Sequence, residues 1–477
     1  MNMKSSNTAK TVHMRDLRDP YRPRFHFTPP MNWMNDPNGI CHHDRRYHLY
    51  YQYNPDSPTW GNIHWGHASS ADLVQWRDEP VALAPSDGPD AGGCFSGSFA
   101  LVNGQPTIYY TGYTEAQQMQ CMATSDDLQS WHKAGDAILP DPPADVPRDQ
   151  FRDPYVFRHD GHWYLAVGAS LNGERGQCLL YRSEDGRNWR YLHPLYTSPR
   201  LQLGLMWECP NFFPIGDKWM LSVSVWQHMG AHYFVGRFEN ERFVPEFDDV
   251  LDGDGGAFAH LTCNAPDGRL LQWAWIEEQR SADLVSADGW AGAMTVPRVL
   301  GLNGQGQLTL RPVDEILKLR GKTVIETQRQ IGGTEQARFA GRHLDIELNI
   351  NLRDTLPVGL ALLTSPDGLE TTRILYNPNN RRLTLERAHS SLNPKTERQN
   401  QHAHLHLAPE EALRLRVLLD ASVLEVYAND RVNLTGRVYP TLGSSIQAAA
   451  FANGSADIDL HAWEMGSIYG TAAGGSF

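Results

Sequence analysis

Aromatic and aliphatic residues recur in short strand-like runs along the first ~300 residues of the chain. Each run is rich in Tyr, Trp and branched side chains and is bounded by turn-forming residues, a pattern typical of β-strands. The five clearest runs are residues 48–53, 107–110, 162–167, 218–223 and 270–275. Neighbouring runs lie roughly 50–60 residues apart, the repeat length of propeller blades. The pattern therefore predicts five blades, each a sheet of about four strands.

A second marker repeats with the same period. The sequence SADLVQW at residues 70–76 returns as SDDLQSW at 125–131 and, more weakly, as SEDGRNW at 183–189. The closing tryptophans, Trp76, Trp131 and Trp189, are separated by 55 and 58 residues. This spacing supports the propeller interpretation independently of the aromatic runs.

The hydrophobic pattern changes after Pro297. Residues 311–319 predict a short linker helix with a proline near its first turn. From about residue 325 onward apolar and polar positions alternate, as in 343–348 and 413–418, which is typical of half-buried antiparallel strands. We therefore predict an all-β chain, a five-bladed β-propeller followed by a C-terminal β-sandwich. The predicted divisions are an N-terminal extension 1–23, a propeller 24–305, a linker 306–324 and a sandwich 325–477.

Three acidic residues occupy similar places in this repeat. Asp36, Asp153 and Glu208 are each followed, directly or after one residue, by proline, and each precedes its blade's aromatic run by about a dozen residues. Such positions begin a strand, and the innermost strand of a blade faces the central channel. The spacing assigns the acids to blades one, three and four, while residues 95–98 and 257–260 fill the matching positions of blades two and five. An acid before proline is also a common turn residue, but three of them in equivalent places indicate one shared site.

Paired carboxyl groups suit one chemistry in particular. Two acids on opposite sides of a sugar carbon are sufficient for glycoside hydrolysis, and a third ionised acid can stabilise the positive charge of the transition state. Arg152 lies beside Asp153 and is expected to keep it ionised, because a nearby cation favours the charged form. Aromatic rings near the acids would provide platforms for sugar faces. The candidates are Trp33, Trp60, Phe95 and Trp290.

Three sequence blocks resemble the signature motifs of glycoside hydrolase family 32, the invertases, sucrose-6-phosphate hydrolases and exo-acting fructanases. The blocks are WMNDPNG at residues 33–39, RDP at 152–154 and ECP at 208–210. The resemblance extends from about residue 24 to about residue 465. Its further matching stretches are residues 51–55, 95–98, 289–292, 297–298, 422–430 and 437–440.

The resemblance implies a residue assignment. Asp36 would be the nucleophile, Glu208 the general acid/base and Asp153 the stabiliser of the transition state. Retention through a covalent fructosyl-enzyme is implied, with the carboxyls of Asp36 and Glu208 roughly 5–5.5 Å apart. Cys209 would tune the neighbouring acid, although a small buried apolar role is an equal interpretation. The residues that carry over as binding the fructosyl ring are Asn35, Gln52, Trp60, Phe95, Ser96, Arg152 and Trp290.

One stretch departs from the family pattern. Blade five often carries a sequence of the type DFYA in this family, and residues 257–260 read AFAH here. That stretch usually shapes the pocket near the leaving group. Of the properties that the resemblance implies, the preference for a leaving group is therefore the one that this sequence determines least.

Composition and charge limit the classes of partner and the cellular location that we expect for this protein. The formal charge of −13 is spread along the chain without a basic stripe, so nucleic acid is not an expected partner. No apolar run reaches the ~18–20 residues of a membrane helix. The first 24 residues lack the apolar core of a secretory signal and the six cysteines form no CxxC pair, which predicts a cytoplasmic protein unless a leader precedes this sequence. We expect no cofactor and no metal, a small-molecule sugar as partner, and a sandwich surface available for homo-oligomerisation.

The predicted activity is that of a retaining β-fructofuranosidase acting on terminal β-D-fructofuranosides such as sucrose. Two alternatives use the same chemistry: fructosyl transfer from sucrose or levan, and hydrolysis of sucrose 6-phosphate. A carbohydrate-binding propeller without catalysis is a third, and the presence of all three acids argues against it.

Overall fold

The computed structural model describes residues 15–226 and 230–469. Within these ranges the chain forms thirty-four β-strands, one short α-helix and two 3₁₀ helices. Residues 1–14 of the predicted extension and residues 470–477 of the predicted sandwich lie outside the described residues.

The first twelve strands build three successive sheets of the propeller, joined within each sheet by antiparallel hairpins. They are β1 (Asn32–His43), β2 (Arg46–Asn54), β3 (His64–Ser70), β4 (Trp76–Leu83), β5 (Gly93–Val102), β6 (Gln105–Tyr113), β7 (Gln118–Thr124), β8 (His132–Lys133), β9 (Phe151–His159), β10 (His162–Leu171), β11 (Arg175–Ser183) and β12 (Arg190–Thr197).

Two further sheets complete the ring. A 3₁₀ helix (Leu201–Leu203) precedes the fourth sheet, and helix α1 (Ala282–Asp288) interrupts the fifth. The strands are β13 (Trp207–Ile215), β14 (Lys218–Val225), β15 (Gly230–Glu239), β16 (Arg242–Leu251), β17 (Ala257–Asn264), β18 (Leu270–Ile276), β19 (Trp290–Ala291), β20 (Ala293–Met294), β21 (Arg298–Leu302) and β22 (Leu308–Pro312).

Strands β1, β5, β9, β13 and β17 form the inner wall, each in contact with its neighbours around the ring. The ring is closed by chain from the fifth repeat, because β19 pairs in parallel with β1 through Asn32 and Trp290. The predicted five-bladed propeller is confirmed.

The sandwich packs two six-stranded sheets, in the orders β23-β34-β25-β30-β31-β32 and β24-β33-β26-β27-β28-β29. Their inward residues form one aliphatic core, which confirms the sandwich. The strands are β23 (Arg320–Gly332), β24 (Ala337–Ala340), β25 (His343–Leu352), β26 (Val358–Thr364), β27 (Thr372–Asn377), β28 (Arg382–Glu386), β29 (Gln401–His404), β30 (Leu413–Asp420), β31 (Val423–Ala428), β32 (Val432–Arg437), β33 (Gln447–Ala452) and β34 (Ser455–Met465).

The connection between propeller and sandwich is shorter than the predicted linker 306–324. Leu308–Pro312 is the outermost strand of the fifth blade, and β23 begins already at Arg320. The part between them is a 3₁₀ helix, Asp314–Leu319, where a short helix was expected. Its Ile316 and Leu319 are buried in the core. The sequence pattern missed these strand bounds because β22 has only five residues and the first residues of β23 do not alternate between buried and exposed.

A buried charge network ties the propeller to the sandwich. Arg298 of β21 pairs with Asp252 at 2.7 Å and with Glu425 of β31 at 2.5 Å, and all three side chains are fully buried. His26 lies between Glu425 and Asp420, at 2.9 Å from each. Paired in this way, the charges favour one arrangement of the two units, because another packing that kept these groups buried would leave an ion without its partner.

Among the described residues, the only α-helix has seven residues, and none of the helices is long and apolar enough to cross a membrane. The cytoplasmic location and the oligomeric state stay predictions.

Candidate active site

All five inner strands carry a β-bulge at the same level of the channel. The pairing of each inner strand with its neighbour shifts across two residues, which are 35–36, 95–96, 153–154, 209–210 and 259–260. A bulge releases residues from the regular alternation and re-aims their side chains. The predicted acids lie within or directly beside these bulges, which is why they converge although they come from three different sheets.

A cavity of about 460 Å³ opens at this level. It brings together nine of the twelve residues predicted from the sequence. These are Trp33, Asn35, Asp36, Gln52, Trp60, Phe95, Arg152, Asp153 and Glu208. Ser96 and Cys209 lie behind the acids, and Trp290 lies elsewhere.

Asp36 is almost fully buried and is surrounded by donors. Its Oδ2 accepts hydrogen bonds from Ser96 Oγ at 2.6 Å and Gln52 Nε2 at 3.3 Å, and its Oδ1 accepts one from Asn35 Nδ2 at 3.1 Å. Burial nevertheless raises the pKa of this carboxyl to about 6, with Glu208 adding to the increase and the hydrogen bonds opposing it. The group is therefore mainly ionised at neutral pH and takes up a proton in mildly acidic solution.

Asp153 is held in a strained backbone position. Its φ of +63° lies in the left-handed region, and its N–H donates to Thr111 Oγ1 at 2.8 Å. The Oδ2 accepts the backbone N–H of Cys209, itself at φ +46°, at 2.9 Å. Strain of this kind persists where neighbouring contacts fix the conformation, often at functional sites.

Cys209 joins two of the acids. Its Sγ lies 3.5 Å from the Oδ2 of Asp36 and 3.5 Å from the Oδ2 of Asp153. Burial and the neighbouring carboxylates raise the pKa of the thiol well above its usual value, so it remains a neutral donor between them. The contacts support a polar role for Cys209 over that of an apolar filler.

Arg152 contacts a different acid from the one expected. Its Nε and Nη2 lie 2.8 and 2.7 Å from Glu208 Oε1, while Gln118 Oε1 accepts from its Nη1 at 3.2 Å. Burial, assisted by Glu208 and Asp36, raises the pKa of Asp153 overall. As expected, the charge of Arg152 favours the ionised form of Asp153 and lowers its pKa, but burial outweighs this effect. The bulge at Asp153 explains the contact with Glu208, because it turns the two neighbouring side chains in different directions.

Trp290 is not part of the cavity. Its side chain is only 1% exposed, and its indole N–H donates to Asp19 at 2.6 Å. The guanidinium carbons of Arg22, Arg280 and Arg437 lie 4.4, 4.8 and 5.5 Å from its ring centre. The prediction that Trp290 binds sugar is therefore wrong, because the pairing of β19 with β1 turns the ring away from the channel into a stack of cations.

Aromatic side chains form the walls of the cavity. Trp60 and Phe95 meet edge to face at 5.9 Å, and Phe95 stacks on Tyr113 at 4.6 Å. Trp33 lies 5.9 Å from Trp275 in a similar arrangement. Such surfaces match the apolar faces of sugar rings.

Seven further described residues line the cavity that were not among the site residues predicted from the sequence. They are Tyr113, Gln118, Asp149, Gln150, Trp226, Phe258 and Trp275. Phe258 lies on the inner strand β17 and Trp275 on the neighbouring β18, both in stretches that the repeat pattern had marked, so their places in the repeat were a usable signal. The others lie at strand ends or loops, where periodicity carries no information.

The fifth blade contributes little polar chemistry to the channel. Ala259 occupies the bulge at φ +54°, and the side chain of His260 turns outward to Asp252, at 2.8 Å. Burial lowers the pKa of His260. In the stretch 257–260, which departs from the family pattern, His260 therefore belongs to the charge network between propeller and sandwich. Phe258 is the residue of this stretch that lines the cavity.

Comparison with known proteins agrees with this geometry. Residues 26–312 match the model of the glycosyl hydrolases family 32 N-terminal domain, and residues 315–464 match that of the C-terminal domain. A sucrose-6-phosphate hydrolase of Zymomonas mobilis is 34% identical over 92% of this chain and 91% of its own. An insoluble β-fructofuranosidase isoenzyme of Arabidopsis thaliana is 31% identical over 95% of this chain and 91% of its own.

A solved structure gives the same relation. Fructan 1-exohydrolase IIa from Cichorium intybus superimposes with a TM-score of 0.87 at 27% identity, covering 94% of this chain and 98% of the other. The catalytic fold, the sandwich and the sequence blocks thus agree, and the chain is a glycoside hydrolase that belongs to glycoside hydrolase family 32.

Proposed function

We propose that this protein is a retaining β-fructofuranosidase that releases the terminal fructosyl group of sucrose-like β-D-fructofuranosides. Asp36 is the nucleophile, Glu208 the general acid/base and Asp153 the stabiliser of charge in the transition state. The observation that carries the proposal is the convergence of these carboxyls, from blades one, three and four, on one cavity with aromatic walls.

The first half-reaction breaks the glycosidic bond. A carboxylate oxygen of Asp36 attacks the anomeric carbon of the fructosyl ring while Glu208 donates its proton to the leaving oxygen. Ser96, Gln52 and Asn35 orient Asp36 for this attack through the hydrogen bonds described above. The products are the free leaving sugar and a fructosyl ester on Asp36.

The second half-reaction releases fructose. Glu208, now ionised, takes a proton from water, and the resulting hydroxide oxygen attacks the same carbon and expels Asp36 as a carboxylate. Two inversions give net retention. Arg152 holds the carboxyl of Glu208 in position for both proton transfers, through contacts of 2.8 and 2.7 Å with its Oε1.

Asp153 supplies a negative charge beside the reacting carbon. Positive charge develops on the ring as the leaving group departs, and the carboxylate form of Asp153, which is itself buried, stabilises it. Its contacts with the Cys209 backbone and thiol keep the group in place, which supports a positioning rather than an attacking role.

The test is the replacement of Asp36 by alanine, with Asp217→Ala, in the exposed turn of the fourth blade, as control. Fructose release from sucrose should fall by roughly 10³-fold or more in Asp36→Ala, as expected when a nucleophile is lost, and remain unchanged in the control. In methanol–water mixtures the active protein should form the methyl β-fructofuranoside, the retained product, detectable by NMR. Retained turnover in Asp36→Ala, or an inverted product, would contradict the assignment. Fructo-oligosaccharides as main products at high sucrose would instead identify fructosyl transfer.

A further inference from the structure

We infer that the leaving-group side of the cavity selects neutral fructosides and discriminates against those that carry a phosphate on the leaving sugar. The inference rests on the proposed function and deepens it, because it assigns a substrate class to one side of the same cavity. The inferred preference differs from the activity named for the Zymomonas mobilis relative, which is sucrose-6-phosphate hydrolysis.

The acid/base defines the side in question. Since Glu208 donates its proton to the departing oxygen, the leaving sugar lies next to Glu208 and the residues around it. Arg152, which contacts Glu208, also contacts two neighbouring residues on this side. Its Nη1 donates to the carbonyl of Asp149 at 3.3 Å and to Oε1 of Gln118 at 3.2 Å. The leaving sugar therefore meets the segment that holds Asp149 and the strand that begins at Gln118.

The charges on this side are unfavourable for a phosphate. Four acidic residues line the cavity, Asp36, Asp149, Asp153 and Glu208, of which Glu208 is neutral when it acts as the acid, and among the described lining residues Arg152 is the single cation. Arg152 is already engaged with Glu208 at 2.8 and 2.7 Å and its side chain is 11% exposed. A phosphate dianion is normally bound by free arginine or lysine side chains, and here it would lie near Asp149 without one.

The nearest basic residue along the same segment does not supply the missing charge. Arg148 pairs with Asp141 at 2.6 Å, is well exposed and lies outside the cavity lining. The net charge of −13 adds a long-range repulsion of anions. Apart from Asp149, the leaving-group side offers neutral groups: the amides of Gln118 and Gln150 and the indole of Trp226, which is 42% exposed. These groups suit the hydroxyls and the apolar face of an uncharged sugar.

The experiment compares sucrose with sucrose 6-phosphate as substrates of the full chain at fixed ionic strength, with fructose release as the readout. We expect kcat/KM for sucrose to exceed that for sucrose 6-phosphate by roughly tenfold or more, the effect of one unfavourable charge contact in a partly shielded site. Asp149→Asn should reduce this ratio by roughly threefold or more because it removes the charge nearest the phosphate. Asp145→Asn, four residues earlier on the same exposed segment and outside the cavity lining, makes the same charge change and should leave the ratio unaltered.

The possible outcomes distinguish a failure of the inferred phosphate discrimination from a failure of the proposed function. Equal or better turnover of sucrose 6-phosphate would overturn the inference and leave the proposed function intact. An unchanged ratio in Asp149→Asn, or an equal change in Asp145→Asn, would overturn the assignment of selectivity to Asp149. Failure to release fructose from either substrate would instead count against the proposed function.

Discussion

Ser96 Oγ of the second blade donates a hydrogen bond of 2.6 Å to Oδ2 of Asp36 in the first blade. The two side chains come from adjacent sheets and meet because both lie in bulges of inner strands. The bond counteracts burial, which raises the pKa of Asp36 to about 6. Ser96 does not line the cavity, but its hydrogen bond lowers the pKa of the proposed nucleophile Asp36.

Replacing Ser96 by alanine should shift the acidic limb of activity. Asp36 attacks only as a carboxylate, so activity falls as the pH drops through its pKa. Loss of the donor raises that pKa further, which moves the acidic limb of the kcat/KM profile upward by about one pH unit. Ser98→Ala is the matched control, since Ser98 is on the same strand but donates to the Pro154 carbonyl. An acidic limb that stays in place in Ser96→Ala would show that another group controls it.

Replacing Asp36 by asparagine should stabilise the fold above neutrality. The pKa of about 6 in the folded protein exceeds the ordinary aspartate pKa of 3.8. The free energy of unfolding therefore decreases as the pH rises between these values, because the buried group must ionise. Asparagine removes this penalty, which is on the order of 2–3 kcal/mol. The gain should be present at pH 7.5 and small at pH 4.

Urea denaturation at both pH values measures the difference. Asp217→Asn, at an exposed turn, is the control and should change neither midpoint. A gain of equal size at pH 4 and pH 7.5 would mean that the effect is unrelated to the charge of Asp36.

Two tryptophans should respond in opposite ways to substitution. Trp290 is packed among three arginines, so Trp290→Ala should lower the free energy of unfolding by roughly 3–5 kcal/mol and leave KM of the folded fraction unchanged. Trp226 is 42% exposed at the cavity, so Trp226→Ala should raise KM with little change in stability. Steady-state kinetics and thermal melts of both variants distinguish the roles, and a raised KM in a stable Trp290→Ala protein would restore the sugar-binding assignment.

Removal of Arg298 should weaken the junction between propeller and sandwich. Arg298→Met leaves Asp252 and Glu425 buried without their cation, which costs roughly 3–5 kcal/mol. Arg269→Met, which removes a more exposed pair with Glu315, should cost about 1 kcal/mol or less. Chemical denaturation monitored by tryptophan fluorescence checks both values. Equal losses in the two variants would show that burial does not set the strength of the network.

The sequence predicted those site residues whose positions recur at equivalent places in the blade repeat. Asp36, Asp153 and Glu208 each precede an aromatic run by about 9–12 residues, and that regularity alone assigned them to inner strands. Arg152 could not be placed in the same way, because its direction depends on the bulge at Asp153. Trp290 was misplaced for a related reason, since β19 leaves the fifth blade to pair with the first. The 5–5.5 Å separation of the Asp36 and Glu208 carboxyls stays a prediction.

The sequence by itself determined the all-β class, the five repeats, the sandwich and the three acids, because alternation and repeat length are local properties of the chain. Only the tertiary structure decided which groups touch. The Ser96–Asp36 bond, the engagement of Arg152 by Glu208, the outward turn of His260 and the negative charge beside the leaving group all join residues from different blades or loops. Such contacts depend on the closure of the ring and on the bulges at its inner wall, and hydrophobic periodicity does not encode either.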